Sequence, residues 1–251
     1  MIASLPMYAR PYNRAAHDNL WAGIRDNLRA QGIAAPDALD HDIGHMESWA
    51  REDLVLGQIC NLPYRARFRD QVTVIGAADY GLPDCAAGYY RSVIITRADA
   101  PDAAEACLGQ RFACNDLLSQ SGFGAAQVWA REHGHSLRPS LLTGGHAASL
   151  AAVANGAADY ATLDAQTWWI EQAINPHAAN VMVVGHTHST PSMTFITRTS
   201  NDPAPFFAAI RDAIAALSPL DHNTLGLRGI VALPASAYDI PLPDWSEFNL
   251  T

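Results

Sequence analysis

Short apolar runs rich in Val and Ile alternate along the chain with longer stretches whose apolar positions fall three and four apart. That alternation predicts an α/β protein with mainly parallel sheet. Strands are expected at residues 2–5, 54–59, 72–75, 92–96, 112–114, 160–163, 181–184, 194–197 and 229–233, with a further one leading into Leu141 and Leu142. Helices are expected at 13–31, 119–134, 146–155, 165–173 and 203–217. The first carries Leu20, Ile24 and Leu28 at intervals of four and stops at Gly32. The last opens with Asp202 in the capping position and Pro203 as first helical residue, where a missing N–H costs nothing.

Two extended segments echo each other: Ser92 to Arg97 and Met193 to Arg198 both finish in Ile-Thr-Arg. They read either as the two strands by which a chain leaves one lobe and returns to it or as a coincidence of three residues. On the first reading residues 1–92 plus 198–251 build one lobe and 93–197 an inserted second lobe, with the binding site in the cleft between them.

With 49% hydrophobic and 16% charged residues the 251-residue chain has the makeup of a globular protein, not a disordered one. The net charge is −9, and all 16 basic residues are Arg. The lack of Lys removes P-loop, Schiff-base and pyridoxal chemistry, and an acidic balance removes the electrostatic footprint of a nucleic-acid binder. No run nears the roughly 20 apolar residues that cross a bilayer, so a membrane-embedded chain is not expected. The opening residues carry no basic stretch followed by a long apolar one, which predicts a cytoplasmic protein, or a periplasmic one whose leader has been removed. Cys60, Cys85, Cys107 and Cys114 have neither CxxC nor metal-ligand spacing and are expected as buried thiols, with one or two disulfides open to an exported chain. No cofactor is expected.

Two segments carry candidate chemistry. Asn115 to Phe123 lies between a strand and an Ala-rich helix, and sets the hydroxyls of Ser119 and Ser121 beside the unused N–H groups of a first helical turn, with Gln120 between them and Gly122 allowing close approach. Taken alone, Ser119 reads better as a plain helix cap. Leu141 to Ser149 repeats the pattern of strand, glycine turn and helix start, and adds the imidazole of His146 and the hydroxyls of Thr143 and Ser149. Asp164 closes a further short strand, either as acceptor for a protonated ligand group or as cap of the next helix. No Arg occurs between Phe112 and Ala130 or between Pro139 and Thr197. An anion bound here is held by hydroxyls, amides, His146 and helix dipoles, each dipole worth about 0.3–1 kcal/mol. Hydrogen bonds to a charged acceptor add about 1.5–3 kcal/mol each, so roughly six reach micromolar affinity. No nucleophile with an adjacent base is apparent.

In order and spacing these segments resemble the phosphate/phosphite/phosphonate substrate-binding proteins of ABC transporters. Ile2 to Tyr8 is similar to that family's opening strand, Gly88 to Ile95 to its crossover strand, Asn115 to Phe123 to its Ser-x-Ser-Gly anion loop, and Thr143 to His146 with Ala151 to Asp159 to its Gly-x-His helix and following strand. The resemblance implies a two-lobed periplasmic-binding-protein-like fold of the second type, each lobe a mainly parallel sheet flanked by helices, with two crossover strands. It further implies a non-catalytic solute-binding protein that holds a small oxyanion by Ser119, Gln120, Ser121 and His146, with Tyr90 and an acid near Asp159 or Asp164. Tyr8 and the loop around Gln58 and Asn61 would close over the ligand from the first lobe, and an ABC permease would be the partner. Gln120 departs from the family, which often has a small hydroxyl residue there.

Two rival readings stand beside it. Gly185-His186-Thr187-His188 resembles the last metal-binding loop of calcineurin-like metallophosphoesterases, but Asp40-His41-Asp42 is not followed by that family's remaining motifs, and two His are too few for a two-metal site. A partner-binding module would use exposed Trp. Trp168 and Trp169 diverge by about 100° on a helix, which puts one in the core and the other outside.

Overall fold

The computed structural model describes residues 1–100, 103–246 and 248, and the chain divides into two compact units. The first comprises Met1–Tyr89 and Pro191–Tyr238, the second Tyr90–Thr190 and Asp239–Thr251.

In the first unit, β1 (Ile2–Ser4) pairs parallel with β2 (Leu54–Ile59), and β11 (Thr194–Arg198) lies antiparallel between β2 and β3 (Val72–Asp79). β12 (Gly229–Val231) closes the far edge against β3. β1, β2 and β3 therefore run one way. Helix α1 (Arg14–Ala30) buries Leu20, Trp21, Ile24 and Leu28, and packs on α7 (Pro203–Ala215), whose Asp202 cap accepts from Ala204 N–H. Three short helices escape sequence periodicity: α2 (His45–Ala50), α3 (Asn61–Pro63, continued by a π-helical turn over Tyr64–Phe68) and α8 (Pro219–Leu225). At two turns or fewer, they are too brief to show an amphipathic period. On one face Ile2, Trp49, Leu54, Ile59, Phe68, Val72 and Ile196 form the core.

Strands β4 (Tyr89–Tyr90) and β10 (Thr190–Pro191) pair with each other where the chain passes between units.

The second unit is a five-stranded sheet in the order β7 (Pro139–Leu142), β6 (Phe112–Cys114), β8 (Tyr160–Asp164), β5 (Ser92–Arg97), β9 (Val181–His186). All run one way except β5, which is antiparallel to both neighbours. Side chains alternate between two cores, as strand geometry requires. Ile94, Phe112, Cys114 and Tyr160 meet α4 (Ala125–Glu132), while Val93, Ile95, Ala113, Ala161 and Leu163 meet α5 (His146–Ala154) and Trp168 of α6 (Ala165–Ile174). Trp169 is exposed.

The described residues from Asp239 onward group with the second unit, not with the first as their sequence position suggests. Trp245 Nε1 donates to Leu117 O at 3.2 Å, and the Phe248 ring stands edge-on to Phe123 at 5.5 Å. Cys60, Cys107 and Cys114 are buried and Cys85 is half-buried, none of them in a disulfide. Burial pushes Cys107 up to about 11 and Cys114 up to about 12.

Candidate functional site

Parallel pairing of β7, β6 and β8 brings their C-terminal ends to one edge of the second sheet. Ser92 stands opposite Asp164, and His186 opposite Val93, so the start of β5 and the end of β9 reach the same edge. Each strand end there feeds a polar turn or helix start, the usual location of ligand sites in open α/β sheets.

After β6 the chain turns through Ser119, whose Oγ accepts from Gly122 N–H at 3.0 Å. Phe123 N–H and Gly124 N–H both bond to Ser119 O, at 3.0 and 2.9 Å, giving a π-helical turn over Gln120–Gly124 that runs on into α4. The widened turn is fastened from below: Ser92 Oγ donates to Ser121 O at 2.9 Å and Thr162 Oγ1 to Gly122 O at 3.1 Å. Ser92 is itself held by Thr187, through Thr187 N–H to Ser92 O and Ser92 N–H to Thr187 Oγ1, both 3.0 Å. A Cβ at Gly122 would collide with Asn115 Oδ1, so a side chain there requires the Asn115 side chain or the turn itself to give way.

After β7, Thr143 N–H and Gly144 N–H bond to Cys114 O and Asn115 O at 2.9 and 3.0 Å, which locks this turn to the first. Gly144 adopts φ +81°, in the left-handed region that glycine enters without penalty. Gly145 then caps α5 with no side chain, leaving the first-turn N–H groups to the site. The two turns meet at Ser121 Oγ and His146 Nε2, 2.9 Å apart, with Ser119 Oγ 3.5 Å from Ser121 Oγ.

Thr143 and Ser149 lie outside this donor set. Their hydroxyls bond to each other at 2.7 Å, Thr143 Oγ1 also reaches Gly145 O at 3.1 Å, and Ser149 is fully buried. Asp164 lies at the edge and caps α6, its Oδ1 accepting from Gln166 and Thr167 N–H at 2.7 and 3.0 Å. Tyr90 and Gln120 are both buried, at 1% exposure: Tyr90 lies two residues before Ser92, which pairs with Asp164, and Gln120 lies in the turn after β6, the neighbour of β8. Arg91 also has its backbone here, since Ala165 N–H donates to its carbonyl. The alternative acid, Asp159, is a correction: it precedes β8 at the opposite end of the sheet. There it is gripped by Arg111, whose Nη2 and Nε lie 2.7 and 3.0 Å from its oxygens. The guanidinium holds its carboxyl below the usual carboxylate range.

In the first unit, Tyr8 follows β1 and Gln58 lies in β2, both 4% exposed. Their common neighbour is Tyr80, edge-on to Tyr8 at 5.1 Å, with its hydroxyl accepting from Gln58 Nε2 at 3.3 Å. Asn61 opens α3, and its Oδ1 accepts from Arg65 Nε. A guanidinium can only donate, which fixes the amide orientation and leaves Nδ2, buried and without an acceptor, as the available donor.

Sequence reasoning missed Ser92, Thr162, Thr187 and the Asn115 contact. Their roles depend on strand register, for which the local pattern carries no signal.

The chain matches the model of a family described as ABC transporter, phosphonate, periplasmic substrate-binding protein, over residues 44–235. It belongs to that family. Among solved structures it is similar to PhnD1 of Prochlorococcus marinus in complex with methylphosphonate, at 16% identity, 95% of this chain and 94% of that one, and a TM-score of 0.68. A binding-protein component of an ABC phosphonate transporter from Pseudomonas aeruginosa gives 16% identity, 95% and 82% coverage and a TM-score of 0.68. XAC2383 of Xanthomonas citri bound to ATP gives 17%, 94% and 92%, and 0.63. At these identities the likeness is one of fold, the periplasmic-binding-protein fold. No curated protein matches the chain.

This family of solute-binding proteins leaves the phosphoesterase reading without support. Among the described residues no group of three or more His, Cys, Asp or Glu could hold a metal ion, and His188 is exposed and paired with Glu132 at 3.0 Å. Among them, too, no helix is long and apolar enough to cross a membrane.

Proposed function

We propose that this solute-binding protein takes a small phosphonate or phosphate-like oxyanion and holds it with uncharged donors at the edge of the second sheet. The observation that carries the reading is the junction of Ser121 Oγ and His146 Nε2 at 2.9 Å, joining two helix starts. With the proton on Nε2, His146 donates into Ser121 Oγ, and the serine hydroxyl turns its own proton outward. Ser119 is arranged alike, receiving Gly122 N–H from behind. Each hydroxyl is polarised by the donor behind it, which strengthens its bond to an anion.

Gln120 and Tyr90 complete the second unit's contribution, and Asp164 accepts from a proton-bearing ligand oxygen. Tyr8, Gln58 and Asn61 Nδ2 are the contacts we assign to the first unit. The protein hands its ligand to an ABC permease and works in the periplasm, as the family description suggests, without chemical change to the ligand.

A thermal-shift panel of methylphosphonate, phosphate, phosphite and sulfate, followed by calorimetric titration, tests the reading. At a hundredfold excess over Kd a true ligand adds about 2.7 kcal/mol of stability. Methylphosphonate or phosphate should raise the melting temperature and be recovered intact. A protein indifferent to all four compounds, or one that cleaves a phosphate ester, contradicts the proposal.

A further inference from the structure

Beneath the loop that carries Tyr8, the first unit closes a polar ring that nothing above explains. His17, in the first turn of α1, is 7% exposed and its Nδ1 lies 3.1 Å from Asn13 O. A main-chain carbonyl only accepts, so Nδ1 carries the proton and the neutral ring presents Nε2 as an acceptor. Burial pushes the imidazole below its ordinary value, with Arg10 and His41 acting in the same direction against Asp18 and the Asn13 carbonyl, which favours this neutral form.

Asn13 passes the connection on. Its fully enclosed side chain accepts from Arg10 N–H at 2.7 Å and donates to Tyr8 O at 3.0 Å, clamping the Tyr8 loop from both sides. Tyr8 stands on Tyr80, which is bonded to Gln58. His17, Tyr8, Tyr80 and Gln58 then line one cavity of about 10 Å³, walled elsewhere by apolar side chains. That is the space one water needs, provided two or more polar groups hold it. His17 Nε2 offers an acceptor, and Gln58, whose Nε2 donates to the Tyr80 hydroxyl, lines the same cavity with a second polar group.

We propose that His17 is a positioning residue for Tyr8 and Gln58, acting through a single ordered water held at its Nε2 within this cavity. The inference rests on the reading that Tyr8 and Gln58 touch the ligand, and adds that their placement depends on an imidazole that never reaches it.

Calorimetric titration with methylphosphonate should show H17L weakened about tenfold. H17Q, which keeps a polar atom near the Nε2 position, should recover most of that loss. A high-resolution crystal structure of the unmutated protein should show the water within hydrogen-bond distance of His17 Nε2. H17L with wild-type affinity, H17Q no better than H17L, or a map without that water each overturn the inference while leaving the proposed function standing. If H17L does not fold, H17Q and the crystallographic water decide. If the unmutated protein binds none of the oxyanions, the functional reading fails first and the positioning role falls with it.

Discussion

The two ends of the second sheet treat charge in opposite ways. Before β6 and β8, Arg111 and Asp159 form a bidentate ion pair, reinforced by Arg111 N–H to Asp159 Oδ2 at 2.9 Å and by guanidinium bonds to Gly156 O and Ala157 O. After the same strands, two helix starts assemble hydroxyls, an imidazole and first-turn amides. At the charged end Arg111 spends four of its guanidinium N–H groups on Asp159, Gly156 O and Ala157 O. The other end gathers hydroxyls, an imidazole and first-turn amides, with Asp164 capping α6 beside them. Formal charge thus staples the fold at one end, and hydroxyls, amides and an imidazole gather at the other, where we propose that an anion binds.

The sharpest way to break the comparison is Gly122→Ala. Its Cβ would collide with Asn115 Oδ1, so the Asn115 side chain or the Ser119–Gly122 turn must shift. Overpacking of this kind costs about 1–3 kcal/mol of stability, and oxyanion binding should become undetectable by calorimetry. The double variant Gly122→Ala with Asn115→Gly should recover part of both. Next come Ser121→Ala and His146→Ala, each expected to weaken binding tenfold or more, about 1.4 kcal/mol. Because the two side chains act as one bonded pair, the double variant should lose less than the sum of the two losses.

At the opposite end, Arg111→Ala should leave affinity within about twofold while lowering the melting temperature, since the pair is partly exposed and remote from the edge where we propose the ligand binds. The pH dependence has a definite sign. Asp159 titrates lower when folded than its ordinary 3.8, so its contribution is present above that value and is lost as pH falls through the depressed folded one. Acid unfolding followed by circular dichroism should therefore begin at higher pH in Arg111→Ala than in the unmutated protein. The smallest effect concerns the cysteines: with thiols raised to about 11 and about 12, Cys107 and Cys114 should escape alkylation at pH 8 in the folded protein, as mass spectrometry can check.

Much of the hydroxyl-bearing end was legible in the sequence because its parts are local. A short apolar run followed by Ser-x-Ser-Gly, or by two glycines and a His, is a strand feeding a helix start, and the chain confirms both at Gln120–Gly124 and His146–Ala154. What holds those turns was not legible. Ser92 reaches Ser121 across 29 positions and Thr162 reaches Gly122 across 40, contacts that only the sheet register brings about. Asp159 misled for the same reason: it and Asp164 bracket a single strand, and nothing local says which end faces the ligand. The closing segment was assigned by its place after the second Ile-Thr-Arg run, whereas the Trp245 and Phe248 contacts bind it to the second unit. The ring of His17, Asn13, Tyr8, Tyr80 and Gln58 joins three separate stretches, and no periodicity could have announced it.

A crystal structure of the protein soaked or grown with methylphosphonate would judge the central claim most directly. The account predicts phosphonate oxygens within hydrogen-bond distance of Ser119 Oγ and Ser121 Oγ, with His146 still bonded to the latter. A phosphonate seated instead against arginine side chains, with both serines untouched, would contradict it.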